Sequence, residues 1–138
     1  MYESHQQIAA GFKGEEIWIA CNYRARGLQF AKDGVPVAVS FPKEGAALQT
    51  FGAVVPKKAT HKNEAYEYMN ALLDPRQLAE LCQANFYSPA SNKVQLTGEM
   101  GTKILLTPEQ KKKIFSPDFG FLAANTAGML EWWNKAFV

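Results

Sequence analysis

The chain has 138 residues, of which 47% are hydrophobic, 20% charged and 12% aromatic. That length and composition suit a globular chain able to bury a core, and they exclude a disordered or low-complexity one. A net charge of +2 is too small to argue for nucleic acid or an anionic membrane surface, and no apolar run approaches the ~20 residues of a membrane helix.

The polar start, Met1, Tyr2, Glu3, Ser4 and His5, does not read as a signal peptide. Residues 2–12 place Ile8, Ala9 and Phe12 at helical positions, with Gly11 and Gly14 near the end, which predicts a short helix. Residues 17–21 form an almost continuous apolar run with β-branched and aromatic members. This predicts a strand buried on both faces, as in an α/β sheet. Residues 22–32 predict a helix closed by Asp33 and Gly34. Residues 35–41 and 51–55 predict two further strands, the second ended by Pro56.

After Pro56 the character turns helical. Residues 63–73 carry Ala65, Tyr68, Met69, Leu72 and Leu73, close to one helical stripe. Asp74, Pro75 and Gln77 read as cap, first helical position and a residue able to reach back. Thr107 and Pro108 repeat that design. The predicted last helix, residues 127–137, sets Met129, Leu130, Trp133 and Phe137 on one side. The run Lys111, Lys112 and Lys113 reads as a wet helix face. Three predicted strands are too few for a parallel sheet, which needs more strands and helices on both faces. The chain is therefore expected to be part of a larger α/β protein.

Two cysteines, Cys21 and Cys82, show no metal-ligand spacing. They read as buried free thiols, with a disulfide as the alternative in an oxidising compartment. No cofactor motif is present. Catalysis finds no support: His5 and His61 lack a neighbouring nucleophile, and there is no G-x-S-x-G, P-loop or dinucleotide fingerprint. Glu15 and Glu16 are adjacent, so on a strand they point to opposite sides.

Several ordered segments carry a family resemblance. They are Gly14-Glu15-Glu16-Ile17-Trp18-Ile19-Ala20, Asp33-Gly34-Val35-Pro36-Val37, Phe41-Pro42-Lys43-Glu44-Gly45, and Val54-Val55-Pro56-Lys57-Lys58-Ala59. Asn63, Glu64, Ala65 and Tyr68 follow, then Leu73-Asp74-Pro75, Tyr87-Ser88-Pro89 and the tail Leu130-Glu131-Trp132-Trp133-Asn134-Lys135. In that order they resemble the C-terminal part of bacterial ABC-transporter solute-binding proteins, in the branch with the spermidine/putrescine binders. The resemblance implies an α/β fragment of a two-lobed (type II) periplasmic-binding-protein-like fold, with the N-terminal portion missing. It implies a small-molecule solute and a membrane permease as partners, no enzymatic activity, and a periplasmic or lipid-anchored extracellular location.

The resemblance also divides the chain. Residues 1–41 would be a remnant of the second lobe, 42–45 a crossing between lobes, and 46–138 the C-terminal part of the first lobe. Pro42 fixes one dihedral and Gly45 supplies freedom, which suits a hinge; an ordinary turn with a proline is the alternative. The uncovered strand residues Ile17, Ile19, Val37 and Val39 would invite a homodimer or strand exchange.

Ligand residues in this family lie on loops at strand ends beside the inter-lobe cleft. Here they would be Asn22, Tyr23, Arg24 and Arg26 after the first strand, Gln49, Thr50 and Phe51 after the crossing, and Tyr87. Polyamine binders place a tryptophan and an aspartate after the crossing; this chain has Gln49 and Phe51 there. With Arg24 and Arg26 on the other loop, a solute bearing an anionic group is expected, since arginine suits carboxylate or phosphate. Polyamine binding is the alternative, and a self-associating structural piece without ligand is another. Each residue also has a plainer reading. Arg24 and Arg26 lie two apart, so on a helix they cannot both face one point. Phe51 reads equally as strand core, and Tyr23 and Tyr87 as packing residues. Trp18, Trp132 and Trp133 read as core or partly buried residues.

Overall fold

Hydrogen-bonded caps decide where the first elements begin. In the computed structural model, which describes Tyr2 and residues 4–137 (the side chain of Met100 excepted), helix α1 spans His5–Lys13. The Ser4 hydroxyl accepts from the Gln7 backbone N–H at 3.2 Å, and the Gln7 side-chain oxygen accepts from the Ser4 N–H at 3.2 Å. This capping box satisfies two otherwise orphaned donors, which is why the helix starts later than the apolar pattern alone predicts. Helix α2 spans Arg24–Lys32 and has no side-chain cap.

Helices α3 (Lys62–Leu72) and α4 (Pro75–Asn85) pack on each other. The predicted start of α4 is present: Asp74 Oδ1 accepts from the N–H groups of Arg76 and Gln77, and Pro75 occupies the first turn. Its end is less ordinary. Phe86 caps α4 with φ 59°, in the left-handed region, yet it is buried. That backbone costs a non-glycine residue ~1–2 kcal/mol, which burial of the ring offsets. The Lys32 ammonium lies 5.6 Å from the ring centroid. Helix α5 (Gly98–Ile104) packs against α4. Helix α6 (Pro108–Lys112) and helix α7 (Phe119–Phe137) complete the helices among the described residues. Helix α7 begins eight residues before the predicted start of 127, because Asp118 Oδ1 accepts from the Phe121 N–H at 2.9 Å and provides an earlier cap.

The strands differ most from expectation. The three runs predicted as strands, residues 17–21, 35–41 and 51–55, join no ladder among the described residues. Apolar, β-branched sequence supplies strand propensity, but a strand exists only where a neighbour takes its hydrogen bonds. The sheet that forms is a two-stranded parallel one, β1 (Ala46–Ala47) with β2 (Ile114–Phe115), in register Ala46 with Ile114 and Ala47 with Phe115. The class is nonetheless α/β. Trp18, Trp132 and Trp133, expected in the core or partly buried, are 82%, 63% and 41% exposed; nothing described covers the Trp18 side of residues 17–21. Cys21 is likewise exposed, while Cys82 is buried and its thiol pKa is raised by that burial; both are free thiols.

The chain divides into two compact units. Unit 1 comprises Met1–Ser40 and Gly52–Pro108. It holds every buried hydrophobic side chain among the described residues: Ile8, Val35, Cys82, Phe86, Val94 and Ile104. Unit 2 comprises Phe41–Phe51 and Glu109–Val138. It contains the sheet and α7, whose Phe119, Phe121, Met129, Leu130, Trp132, Trp133 and Phe137 are all exposed.

In unit 2 the turn at residues 42–45 closes with the Gly45 N–H donating to the Pro42 carbonyl at 3.1 Å. Gly45 has φ 116°, and a Cβ there would sit 2.2 Å from the Lys113 carbonyl oxygen. Both facts require glycine. A Gly45→Ala variant is expected to break the β1–β2 pairing, read as faster hydrogen exchange of the Leu48 amide, which donates to the Phe115 carbonyl at 2.8 Å. Gly128→Ala in α7, where a Cβ meets nothing within 4 Å, is expected to leave that amide unchanged and to raise helical circular dichroism. Equal exchange in Gly45→Ala and the wild type would show that the close approach does not constrain the strand.

Candidate functional site

The loop after residues 17–21 enters α2 at Tyr23. Its residues line a cavity of about 110 Å³ within unit 1. Apolar walls come from Ile8 and Phe12 of α1, Phe30 of α2, and Val37 and Val39. Gly27 of α2 allows this approach, since a Cβ there would lie 2.6 Å from a Val39 methyl. Asn22, Tyr23 and Arg24 bring the polar groups. No carboxylate is among the lining residues.

Asn22 is fixed through its oxygen. Oδ1 accepts from the Tyr23 N–H at 2.8 Å, while the buried Nδ2 finds no partner. A buried donor without an acceptor costs ~1–3 kcal/mol, so the site holds an unmet hydrogen-bond donor. The Tyr23 ring meets the His5 ring edge-on with centroids 5.8 Å apart, and His5 Nδ1 is also buried and unpaired. The Tyr2 hydroxyl donates to the Cys21 carbonyl at 2.8 Å, which ties the start of the chain to this loop.

Arg24 lines the cavity, while its guanidinium is held by backbone carbonyls. Its Nη1 donates to the Ile104 carbonyl and its Nη2 to the Lys103 carbonyl at the end of α5. Partial burial lowers its pKa, and no carboxylate pairs with it among the described residues. Arg26 is exposed and makes no ion pair there either. Tyr87 is 39% exposed, and its N–H donates to the Cys82 carbonyl at 3.0 Å at the end of α4. The neighbouring Ser88 hydroxyl donates to the same Ile104 carbonyl that Arg24 uses, at 3.3 Å.

Five of the predicted residues, Asn22, Tyr23, Arg24, Arg26 and Tyr87, thus lie in unit 1, and the first three share one cavity. Gln49, Thr50 and Phe51 lie in unit 2, all exposed. Sequence reasoning missed Lys103, Ile104 and Ser88. The first two act through backbone carbonyls, which every residue type possesses, so no signal marked them. Ser88 sat inside the quoted Tyr87-Ser88-Pro89 step and was legible as a hydroxyl next to a candidate.

Asn22→Ala removes the orphaned donor along with the acceptor for Tyr23. The two effects oppose each other, so stability in urea melts is expected to stay within about 1 kcal/mol of wild type. A loss above about 2 kcal/mol would mean that the Asn22 side chain is held in place for structural reasons.

The family described as bacterial extracellular solute-binding protein matches residues 1–108. The chain is 39% identical over 84 residues to the putrescine-binding periplasmic protein PotF of Escherichia coli (strain K12). That stretch is 61% of this chain and 21% of the relative, so the chain spans about a fifth of the curated relative it matches. No solved structure matches significantly.

Proposed function

Since this chain belongs to the bacterial extracellular solute-binding proteins, we propose that it is part of the substrate-binding component of an ABC importer and holds a small solute for delivery to a membrane permease. The match over residues 1–108 carries this reading. The role is binding without catalysis, in the periplasm or, on a lipid anchor, outside the cell. No helix among the described residues is long and apolar enough to cross a membrane.

The solute bears an anionic or strongly accepting group. The Asn22 Nδ2 donor and the absence of any carboxylate around the cavity support this, as does the exposed guanidinium of Arg26 nearby in sequence. A group that accepts hydrogen bonds would satisfy the orphaned donor, whereas an ammonium group would find no counter-charge there. Gln49, Thr50, Phe51 and Tyr87 are the further proposed contacts. Residues 42–45 are the proposed crossing between a lobe holding residues 1–41 and a lobe holding 46–138. The passage of the chain from unit 1 to unit 2 after Ser40 supports a crossing there, although the chain returns to unit 1 at Gly52, so residues 52–108 group with residues 1–40. A second reading, putrescine as solute, is favoured by the 39% identity to the putrescine-binding protein.

Titration of the ¹⁵N-labelled chain with glutamate and with putrescine separates them. The expected result is saturable shifts of the Asn22 and Tyr23 amides with glutamate, on the order of millimolar dissociation constants, and none with putrescine. The reverse pattern would establish the putrescine reading. No response to either at tens of millimolar would remove solute binding from this chain.

Self-association is also proposed, as a homodimer or by strand exchange. Its support is the apolar run at residues 17–21, which joins no ladder among the described residues and where Ile19 is 90% exposed. Light scattering at micromolar concentration is expected to give about twice the 15.3 kDa chain mass, and a monodisperse monomer would refute it.

A further inference from the structure

Arg24 sits in the first turn of α2, where a cation is electrostatically misplaced. The helix N-terminus carries partial positive charge, and α2 has no acidic residue in its first turn to balance it. Nothing local to α2 therefore accounts for arginine here. The end of α5 does. The last carbonyls of a helix have no partner within it, and that end carries partial negative charge. Lys103 and Ile104 own two of these carbonyls, and the planar Arg24 fork takes both at once. A lysine ammonium of similar reach is a single point charge and cannot reproduce that geometry.

The Ile104 carbonyl has a second donor. The Ser88 hydroxyl reaches it at 3.3 Å, so one oxygen joins residues 24 and 88. On one side Arg24 adjoins Asn22 and Tyr23, and all three line the cavity, with the Arg24 guanidinium turned to the carbonyls of Lys103 and Ile104. On the other, Ser88 adjoins Tyr87. The Ile104 side chain is fully buried, so the shared acceptor rests on a rigid support.

We propose that Arg24 is a positioning residue: through the Ile104 carbonyl it holds the Asn22–Tyr23 loop and the Tyr87 loop at a set separation, and it does not touch the solute. This inference rests on the solute-binding reading for its purpose, but the clamp itself is testable without a solute. It also narrows the site, because Arg24 is then committed to carbonyls and Arg26 is the arginine left to meet an anion.

The test compares wild type, Arg24→Lys and Ser88→Ala by amide hydrogen exchange and by the glutamate and putrescine titrations. Ser88→Ala removes one donor and leaves Arg24 in place, so it keeps the comparison informative should Arg24→Lys fold poorly. In Arg24→Lys, exchange of the Tyr87 amide is expected to rise about tenfold or more, the scale of one lost charge-assisted hydrogen bond. Amides of α3 serve as the control and are expected to stay unchanged. Ser88→Ala is expected to give a smaller rise at Tyr87 alone. Whichever probe binds wild type is expected to bind Arg24→Lys about five- to tenfold more weakly, with the preference between probes kept. Unchanged exchange at Tyr87 in both variants would overturn the clamp. Unchanged exchange together with a lost preference between the probes would instead make Arg24 a direct solute contact. Faster exchange with undiminished affinity would reduce it to a purely structural brace. If neither probe binds wild type, the solute reading fails, while the exchange arm still decides whether the clamp exists.

Discussion

Unit 1 closes on itself at Ile104. Its side chain is fully buried, and its carbonyl accepts from residues 80 and 16 positions away in sequence. Burial of such a side chain is worth ~1.5–3 kcal/mol. The Lys103–Glu99 ion pair of unit 1 sits in water at side chains that are mostly accessible, and such a pair contributes little. The decisive stabilisation in unit 1 is therefore apolar burial at a few points, with polar groups setting where those points meet. Ile8 plays the same part at α1, Phe86 at the end of α4 and Val35 after α2. The left-handed backbone at Phe86 persists because its ring is one of those points.

Unit 2 is built on different terms. Among the described residues it buries no large apolar side chain, and it relies on backbone pairing and caps. The turn ending at Gly45 brings β1 within reach of β2, and the Lys113 ammonium donates to the Lys43 carbonyl at 2.7 Å beside it. Helix α7 is started by Asp118 and braced by the Glu131–Lys135 pair at 2.7 Å and by the Trp133–Phe137 ring contact at 4.5 Å. These are local interactions of the kind that stabilise a single helix. They leave its aromatic side chains largely in solvent.

How much of this was legible follows from how local each interaction is. The start of α4 was readable to the residue, since Asp74, Pro75 and the following N–H groups are neighbours in sequence. The early start of α7 was missed although Asp118 is a good cap and Phe119 continues the stripe of Leu130 and Trp133 at helical spacing. The three strands were overcalled. Residues 17–21 have the composition of a buried strand, but composition is silent on whether a neighbour is present to complete the ladder. Trp18 and Cys21 went with that error and are exposed. In the candidate site, Asn22 and Tyr23 were found through their place after an apolar run. Arg24 was found for a different role, as an anion-binding cation, because the carbonyls it engages belong to Lys103 and Ile104 far along the chain.

The sequence by itself determined the start of α4 at Asp74 and Pro75, and the family, through ordered short motifs from residue 14 onward. These depend on residues within a few positions of one another, where side-chain chemistry and backbone geometry suffice. Only the tertiary structure decided which carbonyls receive the Arg24 fork, that the Asn22 and Tyr87 loops meet through one oxygen, and which apolar runs remain unpaired. Those outcomes depend on groups tens of residues apart meeting in space, and in most of them the acceptor is a backbone atom that every residue shares.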